Sequence, residues 1–75
     1  MKTLKQFVKG RRKEVNLTQE EFADRAGVAL TVIRKIEQGK TNLNLEKVNQ
    51  VLKMFVHTLV PISEIELNNR LNETS

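Results

Sequence analysis

Thr18-Gln-Glu-Glu-Phe-Ala-Asp-Arg-Ala-Gly27 runs straight into Val28-Ala-Leu-Thr-Val-Ile-Arg-Lys-Ile-Glu-Gln-Gly-Lys40. Both halves place apolar residues at helical spacing, and they meet at a glycine with no room for a loop. Thr18 offers an N-cap oxygen, and Glu21, three residues on, completes a capping box. The spacing predicts a helix over about 18–25 that buries Phe22, Ala23 and Ala26 and stops at Gly27, which can turn left-handed without a Cβ clash. A second helix over about 29–38 buries Ile33 and Ile36 and stops at Gly39 for the same reason. Ala29, at its start, has no capping oxygen to offer.

Before this pair, Leu4, Phe7, Val8, Arg12 and Val15 follow helical spacing, so roughly 3–15 reads as a first helix. Its outer side carries Lys2, Lys5, Lys9, Arg11 and Lys13, and Asn16-Leu17 breaks it. After the pair, Lys40-Thr-Asn-Leu-Asn44 is a polar connection ending in a good N-cap, Asn44. A fourth helix over about 45–55 turns Leu45, Val48, Val51, Leu52 and Phe55 inward. Val56-His-Thr-Leu-Val60 alternates and is β-branched, which predicts a strand closed by Pro61. One strand cannot satisfy its own backbone groups, and the nearest partner is the same segment of a second copy across a two-fold axis. Residues 62–75 are poor in apolar groups and rich in Asn and Glu. Ser63 and Glu66 could form a capping box there, but the composition predicts a flexible tail that orders only on a partner. The chain thus divides into one domain, 1–61, containing the strand 56–60, and a tail, 62–75.

Composition narrows the function. A chain of 75 residues without cysteine has neither disulfides nor thiolate metal sites to staple a small core, so tight helix packing or self-association must serve. The first residues lack the apolar run of a signal peptide and no stretch is long enough to span a membrane, so a soluble cytoplasmic protein is expected. The net charge is +4, but the three acidic groups of the tail against Arg70 leave residues 1–61 at +6. A basic body favours an anionic partner, although ordinary solubility would explain the same imbalance.

A helix braced behind another at a tight turn suits the major groove of DNA. With Ile33 and Ile36 facing inward, the residues toward base edges should be Leu30, Thr31, Arg34 and Lys35. Arg34 can hold guanine bidentately, worth about 1–3 kcal/mol of discrimination. Thr31 can pair with a base or touch a thymine methyl, and Leu30 can only pack on a methyl. Backbone anchoring should fall to Thr18 and Gln19 at the start of the second helix, and to Lys40, Asn42 and Asn44 before the fourth. The plainer alternatives are solvated helix charge for Arg34 and Lys35, an idle surface residue for Gln19, and core or neutral surface for Leu30.

Other chemistries fail on inventory. His57 has no Cys or second His beside it, so no metal site is expected, and a place at a subunit contact suits it better. Both serines, Ser63 and Ser75, lie in the tail without a base at motif spacing, and no glycine-rich phosphate loop follows a strand. Glu20-Glu21 opens a helix, where the helix dipole explains acidic residues better than acid–base catalysis does. No catalytic residue, no enzyme activity and no cofactor are expected.

Residues 3–60 resemble the Xre-type (phage repressor and Cro) helix-turn-helix family through Leu17-Thr18-Gln19, Phe22-Ala23, Ala26-Gly27-Val28, Ile33 and Ile36-Glu37-Gln38-Gly39-Lys40. The resemblance implies an all-α, lambda-repressor-like domain of four to five helices, here followed by a C-terminal strand that pairs across a dimer. Arg12 and Glu37 fall where that family commonly has a buried ion pair, so a structural pair is implied for them. Gly27-Val-Ala-Leu30, Ile33-Arg34, Glu37-Gln-Gly-Lys40 and Leu45-Glu-Lys-Val-Asn-Gln-Val-Leu52, ending in a strand, are similar to the HipB-like antitoxin subgroup over about four fifths of the chain. That likeness implies a homodimer joined through Val56, His57, Thr58, Leu59 and Val60. It also implies an inverted-repeat operator in double-stranded DNA at its own promoter and a HipA-like kinase toxin as partner. One departure is Val56, which stands after Phe55 where a helix-ending glycine is expected.

Three functions therefore compete. The first is a dimeric transcriptional repressor acting as an antitoxin, which would inhibit its toxin by contact alone. The second is a phage-type or restriction-controller regulator without a toxin. The third is a helical module that binds protein through its third helix.

Overall fold

The computed structural model describes residues 2–65, 67 and 68. Four α-helices, α1 (Leu4–Glu14), α2 (Gln19–Ala26), α3 (Leu30–Glu37) and α4 (Leu45–Leu52), are followed by one 3-10 turn, Lys53–Phe55. Side-chain caps open three of the four. Thr3 and Gln6 form a capping box at α1, Thr18 and Glu21 form one at α2, and Asn44 Oδ1 accepts from the Lys47 amide at α4. Helix α3 begins at Ala29 with no side-chain cap, so its start relies on packing.

The helical segments up to residue 55 close alike. After each, one residue turns left-handed: Asn16 (φ 60°), Gly27 (73°), Gly39 (72°) and Val56 (57°). The next amide then reaches back across the end of the helix: Leu17 N to Arg12 O, Val28 N to Ala23 O, Lys40 N to Lys35 O and His57 N to Leu52 O. This double-bonded closure satisfies carbonyls that a helix end otherwise leaves open. Glycine and asparagine tolerate the left-handed turn, whereas β-branched Val56 strains in it.

Val8, Phe22, Ile33, Ile36, Val48 and Val51 are fully buried, with Ala23, Ala26 and Leu52 around them. Each large side chain so buried contributes about 1.5–3 kcal/mol. Phe22 stacks on Phe55 at 5.7 Å, and Phe7 meets Phe55 edge-on at 5.9 Å, which seals the base of the core under α1.

Four expectations are corrected. No strand forms at 56–60 among the described residues: His57 donates back to α4, and the Leu59 amide donates to Asn49 Oδ1 at 2.9 Å, so one side of the segment is spent on its own helix. The fourth α-helix ends at Leu52 and tightens to a 3-10 turn, because Val56 must enter the left-handed turn just after it. Leu45 is 67% exposed; as the first residue of α4 it precedes the packed turn, and Leu43 from the connection covers the core instead. Val15 is exposed because α1 has already ended and the chain is turning away. In the tail, residues 64, 65, 67 and 68 are helical and the Leu67 amide donates to Ser63 O at 2.9 Å. Glu66 and residues 69–75 lie outside the described residues, and with them the Ser63–Glu66 capping box.

Candidate nucleic-acid interface

Helix α3 is held from behind. Ile33, Ile36 and Glu37 are buried against the body, and the 3.6-residue period places Thr31, Arg34 and Lys35 on the opposite, exposed side. Among the described residues none of these three side chains makes a hydrogen bond or ion pair, so all are available to a ligand. Leu30 differs: it is half-buried, packs against the core and lines an open groove with Glu20, Asp24 and Val28. Only its outer edge faces solvent.

The start of α2 lies beside this surface. Thr18 is exposed, but its Oγ accepts from the Glu21 amide at 3.1 Å and its own amide donates to Glu21 Oε1 at 3.0 Å. Hydrogen bonding from the Thr18 amide, and then from its side chain, holds the Glu21 carboxyl below the usual range, and the Thr18 side chain is spent on the cap. The backbone amides of Gln19 and Glu20 have no partner among the described residues and point out of the helix start, the arrangement that receives a phosphate. Lys40, Asn42 and Asn44 are exposed on the connection to α4, with Asn44 Oδ1 engaged by the Lys47 amide at 3.2 Å. Val56, His57, Thr58, Leu59 and Val60, the residues expected at a dimer contact, are also exposed. The His57 ring packs on Phe7 at 4.6 Å, and its Nδ1 lies 2.6 Å from Phe55 O, so the imidazole is occupied within its own chain.

Behind the surface, Arg12 and Glu37 form a two-pronged ion pair, Nε to Oε2 at 2.8 Å and Nη2 to Oε1 at 2.9 Å. The third guanidinium nitrogen, Nη1, donates to Leu17 O at 2.9 Å and pins the loop between α1 and α2. Burial pushes the Glu37 carboxyl up, but hydrogen bonds from Arg12 and Gln19, with the charges of Arg12 and Lys9, outweigh it and hold the group below its ordinary value. The hydrogen bond to Glu37 raises Arg12, so both groups stay charged.

Gln50 escaped the sequence reading. From α4 its Nε2 donates to Ala26 O at 3.0 Å and Gly27 O at 2.9 Å, clamping the turn that sets the angle between α2 and α3. A polar residue on the flank of an amphipathic helix is the signal, but only the fold reveals its target.

Two short helices joined through a glycine turn, the second presenting an uncommitted cationic flank, define a helix-turn-helix nucleic-acid-binding domain. The family model described as Helix-turn-helix matches residues 8–55, and the chain belongs to this family, of Xre/Cro type. A comparison with curated proteins finds no match. The domain is that of a DNA-binding transcriptional regulator. No helix among the described residues is long and apolar enough to cross a membrane.

Proposed function

We propose that this chain is a sequence-specific, dimeric transcriptional repressor in the cytoplasm, reading an inverted repeat through α3. Thr31, Arg34 and Lys35 contact base edges, Leu30 adds its outer edge, and the α2 start with Gln19 and the Lys40–Asn44 connection hold the backbone. The carrying observation is that the cationic flank of α3 is exposed and unpaired while its other flank is buried. Binding to the DNA upstream of the gene tests this by gel shift across salt concentrations. A complex with about six to ten phosphate contacts should lose roughly 10³–10⁵ in affinity between about 50 and 200 mM salt. A flat salt response would favour the protein-binding module.

Dimerisation has its own support. His57 and Leu59 send their amides inward, whereas the intervening Thr58 and Val60 amides have no partner among the described residues, and Pro61 has no amide to offer. This alternation leaves one edge open to a second copy. Antiparallel pairing sets Thr58 of each chain opposite Val60 of the other, with the two Leu59 side chains at the axis. Because half-sites lie one helical turn apart, the recognition helices of the dimer should be about 34 Å apart. A monomer in light scattering at micromolar concentration would contradict the pairing.

The antitoxin role, with a HipA-like kinase toxin as partner and no catalysis by this chain, is supported by the residues shared with the HipB-like subgroup. Co-purification with the product of an adjoining kinase-like reading frame tests it. Absence of such a frame would favour the phage-type or restriction-controller regulator.

A further inference from the structure

The carboxylate that holds Arg12 also holds Gln19. Glu37 Oε1 accepts from Arg12 Nη2 at 2.9 Å and from Gln19 Nε2 at 3.2 Å, while Oε2 takes Arg12 Nε. Gln19 is the first residue of α2, beside the two backbone amides that lack partners. A primary amide carries two N–H groups and one carbonyl oxygen. With one N–H tied to Glu37, the amide plane is fixed and the second N–H is left to donate. A glutamine without that tie would sample several rotamers and lose that freedom on binding.

A lone carboxylate so close to a phosphate would repel it. Arg12 removes that penalty by pairing with both oxygens of Glu37. We propose that Glu37 is a positioning residue for DNA binding: it aims the Gln19 amide at a backbone phosphate, and Arg12 makes the placement possible by neutralising it. The proposal rests on the DNA-binding reading above and assigns the ion pair a task beyond folding.

Exchange of both partners (Arg12→Met with Glu37→Met) keeps the net charge, and apolar replacement of a buried pair often preserves the fold. Compared with it are Gln19→Met and the triple variant, on a duplex selected by the protein from random sequence. Gln19→Met and the Met pair should each weaken binding by about tenfold, the worth of one hydrogen bond to a charged group. The triple variant should bind no worse than Gln19→Met. Phosphate-ethylation interference should show one phosphate per half-site that matters to the unmodified protein and ceases to matter in both variants. A role in folding alone would not erase a single phosphate. Additive losses, or unchanged binding by the Met pair, would overturn the positioning role while leaving the DNA reading intact. If the unmodified chain selects no duplex, the DNA reading itself fails. Should the Met pair not fold, carbon NMR of the unmodified protein decides. The Glu37 carboxyl signal should hold its position as duplex is added while one Gln19 amide proton moves, and a large shift of the carboxyl would overturn the proposal.

Discussion

Gln50 Nε2 donates to the carbonyl of Gly27 at 2.9 Å, so a side chain of α4 fixes the turn between α2 and α3. The same nitrogen lies 3.1 Å from where a Cβ on Gly27 would sit, and Gly27 has φ +73°. Gly27→Ala should therefore cost about 1–2 kcal/mol from the left-handed backbone, with added crowding at Gln50. Gln50→Leu should cost about 1 kcal/mol by freeing two carbonyls. Urea unfolding of each variant measures both losses.

Arg12→Ala should be the most damaging single change. It leaves the Glu37 carboxylate, whose side chain is 4% exposed, without its charged partner, at a cost of about 3–5 kcal/mol. A domain of this size has little more than that in total, so circular dichroism should show a largely unfolded variant at room temperature.

The Glu37 carboxyl is held below its ordinary value in the folded chain, chiefly by Arg12 and Gln19 against burial. Its contribution is fully present above its unfolded pKa of about 4.3 and is lost as pH falls through the lower folded value. The melting temperature should fall with acidification in that window, and less steeply in Glu37→Gln. Equal slopes would mean that other carboxylates govern the acid limit.

Val56→Gly should stabilise the chain. Val56 is 96% exposed, so little packing is lost, and its φ of 57° strains a β-branched residue. Relief of about 1–2 kcal/mol is partly offset by about 0.5–1 kcal/mol of extra unfolded-state entropy. Thermal melting should show a modest rise, and a fall would mean that the strain is absent.

Local signals made much of the fold legible. The Thr18–Glu21 box, Gly27 and Gly39 mark boundaries because caps and left-handed turns depend on a few adjacent residues. The buried set from Phe22 to Leu52 follows from helical period alone. Leu45 misled because periodicity assigns a face without knowing where the body ends. The 56–60 segment misled because alternation and β-branching indicate extended preference but not a partner, and here the cis contacts to Asn49 and Leu52 take half the backbone. On α3, the exposure of Thr31, Arg34 and Lys35 was readable as the complement of the buried face. The bond from Gln19 to Glu37 and the clamp by Gln50 were not, because each joins residues far apart in sequence.

The central claim is that the exposed flank of α3 reads bases. Affinities of the unmodified protein and Arg34→Ala for an operator and its single-base variants test it most directly. Arg34→Ala should lose about 1–3 kcal/mol on the operator and its preference at one base pair per half-site, with other positions still discriminated. Equal weakening on every duplex, or no change on any, would contradict it.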